Sequence, residues 1–252
     1  MVMQTVLFRD LGQMDYQEAW DYQTVLHNGL IGRKLEHRHL SPGVFTQEHH
    51  LLFVEHPPVY TLGRSGSPEH LLLTEAQLEE KGIRFYKINR GGDITYHGPG
   101  QIVGYPILDL DRFFTDVHRY VRCIEEVIIR TLAEYGLEGL RIAGYTGVWL
   151  KNGATGHRKV CAIGVHLSRW VTLHGWAFNV NTPLSYFDNI VPCGIKDEDK
   201  AVTSLANELG REIDLEEVKD KLKRHFAAVF ECRIGETHNA EQPGGAFKQA
   251  QP

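Results

Sequence analysis

A cysteine in a predicted turn is the best candidate nucleophile in this sequence of 252 residues. Cys193 lies between a proline and a glycine, whereas Cys123, Cys161 and Cys232 have apolar neighbours on predicted helices or strands. A substrate can reach a thiol in a loop, but the nucleophilic form is the thiolate, and the ordinary thiol pKa is about 8.5. Catalysis by Cys193 therefore requires a base or a cation nearby.

Three basic side chains in glycine-containing segments are candidates to activate this thiol. Lys159 opens a predicted strand after the loop 153–158, His97 lies in a glycine-rich stretch, and His174 precedes Gly175. A lysine at a strand start is usually solvated and a single histidine is usually structural, so each alone is weak evidence. Because all three lie beside glycine-containing turns, we expect the segments that carry them to meet at one site.

The glycine-rich stretch is residues 90–101, RGGDITYHGPGQ, and it contains four glycines and a proline. Glycine weakens helices and strands, so such a cluster indicates backbone that bends close to a ligand or to other backbone. The flanking segments 83–88 and 102–107 are predicted strands, and a tight hairpin without function is the alternative interpretation. The stretch lacks the Gly-x-Gly-x-x-Gly and Gly-Lys-Ser/Thr patterns of nucleotide phosphate sites.

Composition limits the classes of function. The chain is 42% hydrophobic and 23% charged, as in soluble globular proteins, and no apolar run approaches the ~20 residues that span a bilayer. The N-terminus reads as a strand and not as a signal peptide, so we expect the cytoplasm. A formal net charge of −5 argues against general nucleic-acid binding. The four cysteines form no Cys-x-x-Cys pair, which argues against a zinc ribbon or a disulfide framework.

Hydrophobic periodicity predicts strands and helices that do not alternate strictly. The predicted helices are 15–34, 74–81, 116–135, 200–210 and 214–230, and further strands are predicted at 51–56, 59–64, 146–151, 159–167 and 171–180. This order favours a single α/β (α+β) domain with a mixed β-sheet packed by helices. We expect a catalytic domain of residues 1–234 and a disordered tail of residues 235–252.

Local signals support several of these elements. Asp15 can cap the first helix, whose imperfect apolar face includes Tyr16, Ala19, Trp20, Val25, Leu26 and Leu30. Thr74 and Gln77 have the spacing of a capping box. Asn152-Gly153 predicts a hairpin between two of the strands.

Four blocks of the sequence resemble the lipoyl(octanoyl) transferases, the octanoyl-[acyl carrier protein]–protein N-octanoyltransferases of lipoate synthesis. The blocks are RGGDITYHGPGQ at 90–101, KVCAIGV at 159–165, HGWAFNV at 174–180 and PCGI at 192–195. They occur in the family's order and spacing, and the resemblance covers roughly residues 5–230. It implies the fold of the biotin and lipoate protein ligases, which is related to class II synthetase cores.

The resemblance also implies roles for individual residues. Cys193 matches the nucleophile that accepts the acyl group, and Lys159 matches the lysine that lowers the thiol pKa and moves the proton. The residues that match the three segments of the acyl pocket are Arg90, Gly91, Gly92, Asp93, Ile94, Thr95, Tyr96, His97, Ala162, Ile163, Gly164, Gly175, Trp176 and Ala177. Trp176 and Phe178 are bulkier than the residues often found in the third block, so we expect them to alter the pocket's shape. No metal and no cofactor are implied.

The implied reaction is acyl transfer in two steps. The donor is octanoyl-acyl carrier protein, and the acceptors are the lysines of lipoyl domains in 2-oxoacid dehydrogenase E2 subunits and of the glycine cleavage H protein. The donor thioester is already activated, so ATP is not required. Nucleic acid and membrane are not expected partners. A local basic rim for these acidic partners is expected from Lys151, Arg158, Arg169 and Lys196.

Other functions remain open from the sequence. An ATP-dependent lipoate or biotin protein ligase on the same fold would need no nucleophilic cysteine. An amidotransferase would move octanoyl between lipoyl-bearing proteins, also through a cysteine. A binding module for fatty acyl groups or metal is the non-enzymatic alternative, and His37, His39, His49 and His50 would be its metal ligands.

Overall fold

The computed structural model describes residues 3–39, 47–154, 156–191 and 200–236. Its strands are β1 (Thr5–Gln13), β2 (His49–Glu55), β3 (Val59–Leu62), β4 (Arg84–Lys87), β5 (Ile94–His97), β6 (Gln101–Ile107), β7 (Leu140–Ile142), β8 (Tyr145–Asn152), β9 (Gly156–Ser168), β10 (Val171–Asn179), β11 (Lys200–Val202) and β12 (Arg233–Glu236). Its helices are α1 (Tyr16–Glu36), α2 (Glu75–Glu80), α3 (Val117–Ala133), α4 (Leu205–Leu209) and α5 (Leu215–Val229).

Within these residues, nine strands form one mixed sheet, in the order β12-β1-β2-β6-β10-β9-β8-β7, with β11 paired to β9. The pairs β12–β1, β1–β2 and β9–β11 are parallel and the others are antiparallel. The long strand β9 pairs with β10 over residues 161–168 and with β11 over residues 157–159. The predicted single α/β domain with a mixed sheet is confirmed.

Helices cover both faces of the large sheet, as the side chains of β2 show. Leu51 and Phe53 pack on one face with α3 and α5, while Leu52 and Val54 pack on the other face with α1. Successive side chains of a strand point to opposite faces, so a strand buried on both sides is a continuous apolar run. This explains why Leu51 to Val54 is apolar without alternation.

The glycine-rich stretch is not a hairpin, because the strands that flank it belong to different sheets. β4 pairs with β3 in a small sheet of order β4-β3-β5, whereas β6 lies in the large sheet. The stretch itself contains β5, which the sequence pattern did not predict. Residues 90–93 therefore cross from one edge of β3 to the other, and residues 98–100 connect the two sheets.

Helix α1 buries polar side chains as well as apolar ones. Asp15 caps it as predicted, but its buried positions include Gln23 and His27, while Val25 is 54% exposed. The apolar face of α1 is imperfect because the helix covers a polar part of the sheet as well as an apolar cluster.

Other local predictions have mixed outcomes. The capping box of Thr74 and Gln77 is present, and Asn152-Gly153 lies in the β8–β9 hairpin, as predicted. The predicted helix 200–210 is wrong over its first half, because residues 200–202 form β11 and only Leu205–Leu209 is helical. Strand β12 pairs with β1 and extends to Glu236, which is two residues into the predicted tail. The residues after Glu236 lie outside the described part of the chain. No described helix has the length and apolar character to cross a membrane.

Close packing of two central strands gives a stability prediction. A Cβ on Gly104 of β6 would lie 2.1 Å from ring atoms of Trp176 on β10. Overpacking of this kind costs about 1–3 kcal/mol, so Gly104→Ala should lower the free energy of unfolding by at least that amount. Urea unfolding measures the loss.

The matched control is Gly29→Ala in α1, where a Cβ meets no atom within 4 Å. Alanine stabilises an exposed helix position by roughly 0.5–1 kcal/mol relative to glycine, so this variant should gain stability. Equal effects of the two substitutions would contradict the packing argument.

Candidate active site

A cavity of about 350 Å³ lies between the glycine-rich stretch and strands β9 and β10. Most of the described residues that the sequence assigned to the site line it. These are Arg90, Gly92, Ile94, Thr95, His97, Lys159, Ala162, Ile163, Gly164, Gly175, Trp176 and Ala177. Cys193 lies outside the described residues.

Three of the predicted pocket residues do not line the cavity. Gly91 donates its N–H to a carbonyl of β9 at 2.9 Å, so it fixes the loop to the sheet. An oxygen of Asp93 lies 2.5 Å from Nδ1 of His70, on the outer side of the loop. Tyr96 stacks on Tyr186 at 4.6 Å between ring centroids, within the apolar cluster of the small sheet.

The cavity also has a lining that the sequence did not assign. These residues are Tyr16, Gln101, Val103, Tyr105, Gly144, Tyr145, Thr146, Asn179, Phe187 and Val202, and His174, a candidate base from the sequence, lines the cavity as well. Gln101 and Asn179 lie inside the family-like blocks, which was the available signal. Tyr16 on α1 and Tyr145 on β8 come from distant parts of the chain and carry no motif.

The side chain of Lys159 reaches the cavity because β9 contains a one-residue bulge. Val148 of β8 pairs with Cys161, but the next residue, Trp149, pairs with Lys159, so Val160 has no partner on β8. Val160 and Cys161 are both fully buried in the same apolar cluster although they are consecutive. A bulge of this kind changes which face the side chains on either side of it occupy.

The faces that successive side chains of β9 occupy show the effect of the bulge. Beyond it, Cys161 is buried in the core while Ala162 and Gly164 line the cavity, and Ile163 packs against the core and also reaches the cavity. With strict alternation Lys159 would share the core face of Cys161. The extra residue places it on the cavity side instead.

The described ends of the chain on either side of Cys193 are held near these elements. The N–H of Val191 donates to the carbonyl of His70 at 2.8 Å. On the other side, β11 begins at Lys200, and the N–H of Thr203 donates to the carbonyl of Lys159 at 2.9 Å.

A chain of buried hydrogen bonds forms the polar wall of the cavity. Nη2 of Arg90 donates to Oγ1 of Thr61 at 3.1 Å, and Oγ1 of Thr61 lies 3.3 Å from Nε2 of His97. Nδ1 of His97 donates to Oε1 of Gln101 at 2.9 Å. The amide of Gln101 donates to Oδ1 of Asn179 at 2.9 Å. Both ring nitrogens of His97 are therefore engaged by the protein, which fixes the ring's position.

The histidines of the cavity are neutral at pH 7. Burial, with smaller contributions from His56 and Arg90, holds the pKa of His97 well below its usual value. Burial, with Arg90 next, lowers the pKa of His174 to about 3. Of the three basic side chains predicted to activate the thiol, the two histidines are therefore held in the neutral form.

The large residues of the third block pack mainly in the core. The indole of Trp176 packs against Phe53 and Phe226 at 5.8 and 6.4 Å between ring centroids, although Trp176 also lines the cavity. Phe178 is fully buried in the same cluster and does not line the cavity. The effect of Trp176 on the pocket's shape stays a prediction.

The alternative metal site finds no structural support in the described ranges. No group of three or more His, Cys, Asp and Glu side chains there has a geometry that could hold a metal ion. Nδ1 of His49 accepts the N–H of Asp109 at 3.2 Å, and burial lowers the pKa values of His49 and His50 to about 3 and 4. These histidines act as buried polar groups of β2.

The buried neutral histidines predict a loss of stability in mild acid. Burial lowers the pKa of His56 to about 4 and that of His174 to about 3, whereas an unfolded histidine titrates near 6.5. The unfolded state therefore binds protons first, and stability falls as the pH drops from 6.5 toward the folded values. Each such histidine should cost about 1.4 kcal/mol per pH unit in this window.

Urea unfolding between pH 7.5 and 5 measures this slope. His174→Asn should reduce it by one histidine's share, while His118→Asn, at an exposed position of α3, should leave it unchanged. A slope that is the same in the wild type and in His174→Asn would contradict the assignment of His174 as a buried neutral base.

Comparison with known proteins agrees with the geometry. The model of the lipoyl protein ligase A/B catalytic domain matches residues 15–227. A protein of Flavobacterium psychrophilum named octanoyltransferase is 58% identical over 231 residues, which cover 91% of this chain and 98% of that protein.

Solved structures share the fold at low sequence identity. Lipoate-protein ligase A bound with ATP has a TM-score of 0.67 at 16% identity, covering 97% of this chain and 92% of its own. Biotin protein ligase from Aquifex aeolicus has a TM-score of 0.50 at 14% identity, covering 89% of this chain and 70% of its own. The match of sequence and fold is thus continuous across the cavity and its walls. The chain belongs to the lipoyl protein ligase A/B catalytic domain family and, within it, to the octanoyltransferases.

Proposed function

We propose that this enzyme takes octanoyl from acyl carrier protein as a thioester on Cys193 and transfers it to the lysine of a lipoyl domain. The observation that carries the proposal is the position of Lys159 on the wall of a cavity built from the three glycine-containing segments. The fold supports an acyl-binding enzyme, and the relatives support octanoyl as the group transferred.

The cavity has the size of one octanoyl group. A carbon with its hydrogens occupies about the volume of a water molecule, roughly 30 Å³, so eight carbons need about 240 Å³. The cavity offers about 350 Å³. Burying seven acyl carbons beyond the carbonyl at about 0.8 kcal/mol each gives about 5–6 kcal/mol, which holds the group without a charged contact.

Lys159 serves both steps. Its ammonium stabilises the Cys193 thiolate that attacks the donor thioester, and it then gives its proton to the departing carrier sulfur, so the carrier leaves as a thiol. The amine form of Lys159 accepts a proton from the lysine of the lipoyl domain as that lysine attacks the acyl-enzyme and forms the amide, and Cys193 leaves as the thiolate. General acid–base assistance of this kind is typically worth ~10²–10⁴-fold in rate.

Cys161 is nearer to Lys159 in sequence but is unsuited to be the nucleophile. Its side chain is fully buried in the core, and burial, with the charge of Glu125 next, raises the pKa of its thiol well above the usual value. A thiol in that position stays protonated and out of reach of a substrate.

The donor and acceptors follow from the same chemistry. The donor is octanoyl-acyl carrier protein, and the acceptors are lipoyl domains of 2-oxoacid dehydrogenases and the glycine cleavage H protein, which meet in the cytoplasm. The catalytic domain, expected to end at residue 234, includes β12 and so reaches at least Glu236. Of the predicted basic rim, Arg158 is paired with Glu208 at 2.8 Å and Lys151 is 3.8 Å from Glu138, while Lys196 lies outside the described residues. Arg158 is therefore a weaker candidate to contact a carrier.

Intact mass after incubation with octanoyl-acyl carrier protein tests the proposal. The wild type should gain one octanoyl group, mapped to Cys193 and removed by an apo-lipoyl domain. Cys193→Ser should gain none, and Lys159→Met should be acylated at least 100-fold more slowly. Cys123→Ser, at a partly buried position of α3, is the matched control and should behave as the wild type.

A different pattern would overturn the proposal. Octanoylation of the lipoyl domain that needs octanoate and ATP, and that survives Cys193→Ser, would indicate a ligase. A donor preference for octanoylated lipoyl domain over acyl carrier protein would indicate an amidotransferase.

The cavity wall predicts control of chain length. Ala162 and Ala177 are paired across β9 and β10, and both line the cavity. Ala162→Phe adds six carbons and removes roughly 180 Å³, which leaves about 170 Å³ for the acyl chain, so octanoyl transfer should fall at least ten-fold while butanoyl transfer, which needs about 120 Å³, is retained. Transfer rates with both acyl-carrier donors measure this, and an equal loss for both would show that the wall does not set chain length.

A further inference from the structure

We propose that Trp149 is a positioning residue for Lys159, holding its ammonium over the indole ring at the entrance to the acyl cavity. This inference rests on the proposed function of Lys159. It assigns a role to a residue that lies outside every block of the family-like sequence.

The contact is a direct consequence of the register. Trp149 and Lys159 are paired across β8 and β9, immediately after the bulge, so their side chains share one face. Nζ of Lys159 lies 4.6 Å from the centroid of the Trp149 ring. This is well within the distance of about 6 Å at which an ammonium is attracted by an aromatic face.

Gly147 leaves room for the lysine side chain to reach the ring. A Cβ at this position would lie 3.6 Å from Cε of Lys159 and 2.5 Å from the carbonyl oxygen of Cys161. The residue has φ +124°, which favours glycine. The lysine therefore passes beside bare backbone before it meets the indole.

The indole contributes its ring face and not its donor. Trp149 is fully buried, and within the described ranges no acceptor lies within hydrogen-bond distance of its Nε1. A buried donor without a partner is unfavourable, and an aliphatic side chain would fill the space without that cost. The aromatic face is the property of tryptophan that the neighbouring ammonium uses.

Among the described residues, titratable groups near Lys159 lie on β9 and on α3. On β9 the thiol of Cys161 stays protonated because burial raises its pKa. On α3 the carboxylate of Glu125 is fully buried and is paired with Arg122 and Arg141 at 2.6 and 3.1 Å.

Aromatic and cationic groups also lie beside Trp149. On β8, Tyr145 packs on Trp149 in an edge-to-face arrangement at 6.0 Å between ring centroids. On β11, Nζ of Lys200 lies 4.7 Å from the Tyr145 ring. Each of the two adjacent rings is therefore contacted by a lysine side chain.

Substitution of Trp149 tests the proposal in single-turnover acylation of Cys193 by octanoyl-acyl carrier protein at a series of pH values. Trp149→Leu should lower the maximal rate about ten-fold with little change in KM. The ring favours the charged lysine and acylation uses the ammonium, so loss of the ring should lower the lysine pKa and move the descending limb of the pH–rate profile to lower pH by about half to one unit. Trp149→Phe retains a ring face that attracts the ammonium more weakly, so its rate and its pH–rate profile should lie between those of the wild type and of Trp149→Leu.

The matched control is Phe178→Leu, which removes a buried ring from the core face of neighbouring β10. It should lower the melting temperature as much as Trp149→Leu but leave the pH–rate profile in place. If Trp149→Leu does not fold, Trp149→Phe decides alone, because a wild-type rate and profile in that variant would overturn the proposal.

The outcomes also separate this inference from the proposed function. Wild-type acylation of Cys193 together with an unshifted profile in the Trp149 variants would reject the role of Trp149 and leave the proposed function intact. Absence of acylation in the wild type, or a wild-type rate in Lys159→Met, would reject the proposed function itself.

Discussion

The extra residue in β9 is the constraint on which the site depends, because a strand otherwise alternates its faces without exception. Cys161 must face the core, and regular pairing would send Lys159 to the core with it. One unpaired residue, Val160, lets the strand supply both a core contact and a cavity lysine. The cost is a local loss of pairing with β8, which the burial of Val160 and Cys161 in the same cluster offsets.

The second requirement is a wall made of backbone. Gly164 and Gly175 are paired across β9 and β10, and other backbone lies close to both. A Cβ on Gly164 would lie 2.8 Å from the carbonyl oxygen of Gly91. A Cβ on Gly175 would lie 2.1 Å from the carbonyl oxygen of Gly104. Both glycines line the cavity, so at this point its wall is backbone without side chains.

Polar groups at this wall serve mainly to fix its shape. The chain of hydrogen bonds from Arg90 through His97 to Asn179 joins β3, β5, β6 and β10. The amide of Asn179 donates onward to the carbonyl of Thr203, beside β11. Because buried polar groups are costly when unpaired, this network favours one arrangement of the segments. The neutral histidines are part of this framework.

The sequence by itself determined the elements and the identity of the site's main segments. Continuous apolar runs gave the buried strands, capping residues gave the helix starts, and the four blocks gave Lys159 and most of the cavity lining, since local chemistry and spacing carry those signals. Tertiary structure alone decided the phase of β9, the burial of Gln23 on α1, and the meeting of Trp149 with Lys159. It also turned Asp93 and Tyr96 away from the cavity and made residues 200–202 a strand. Those outcomes depend on strand register and on contacts between distant segments, and no local pattern of residues encodes either.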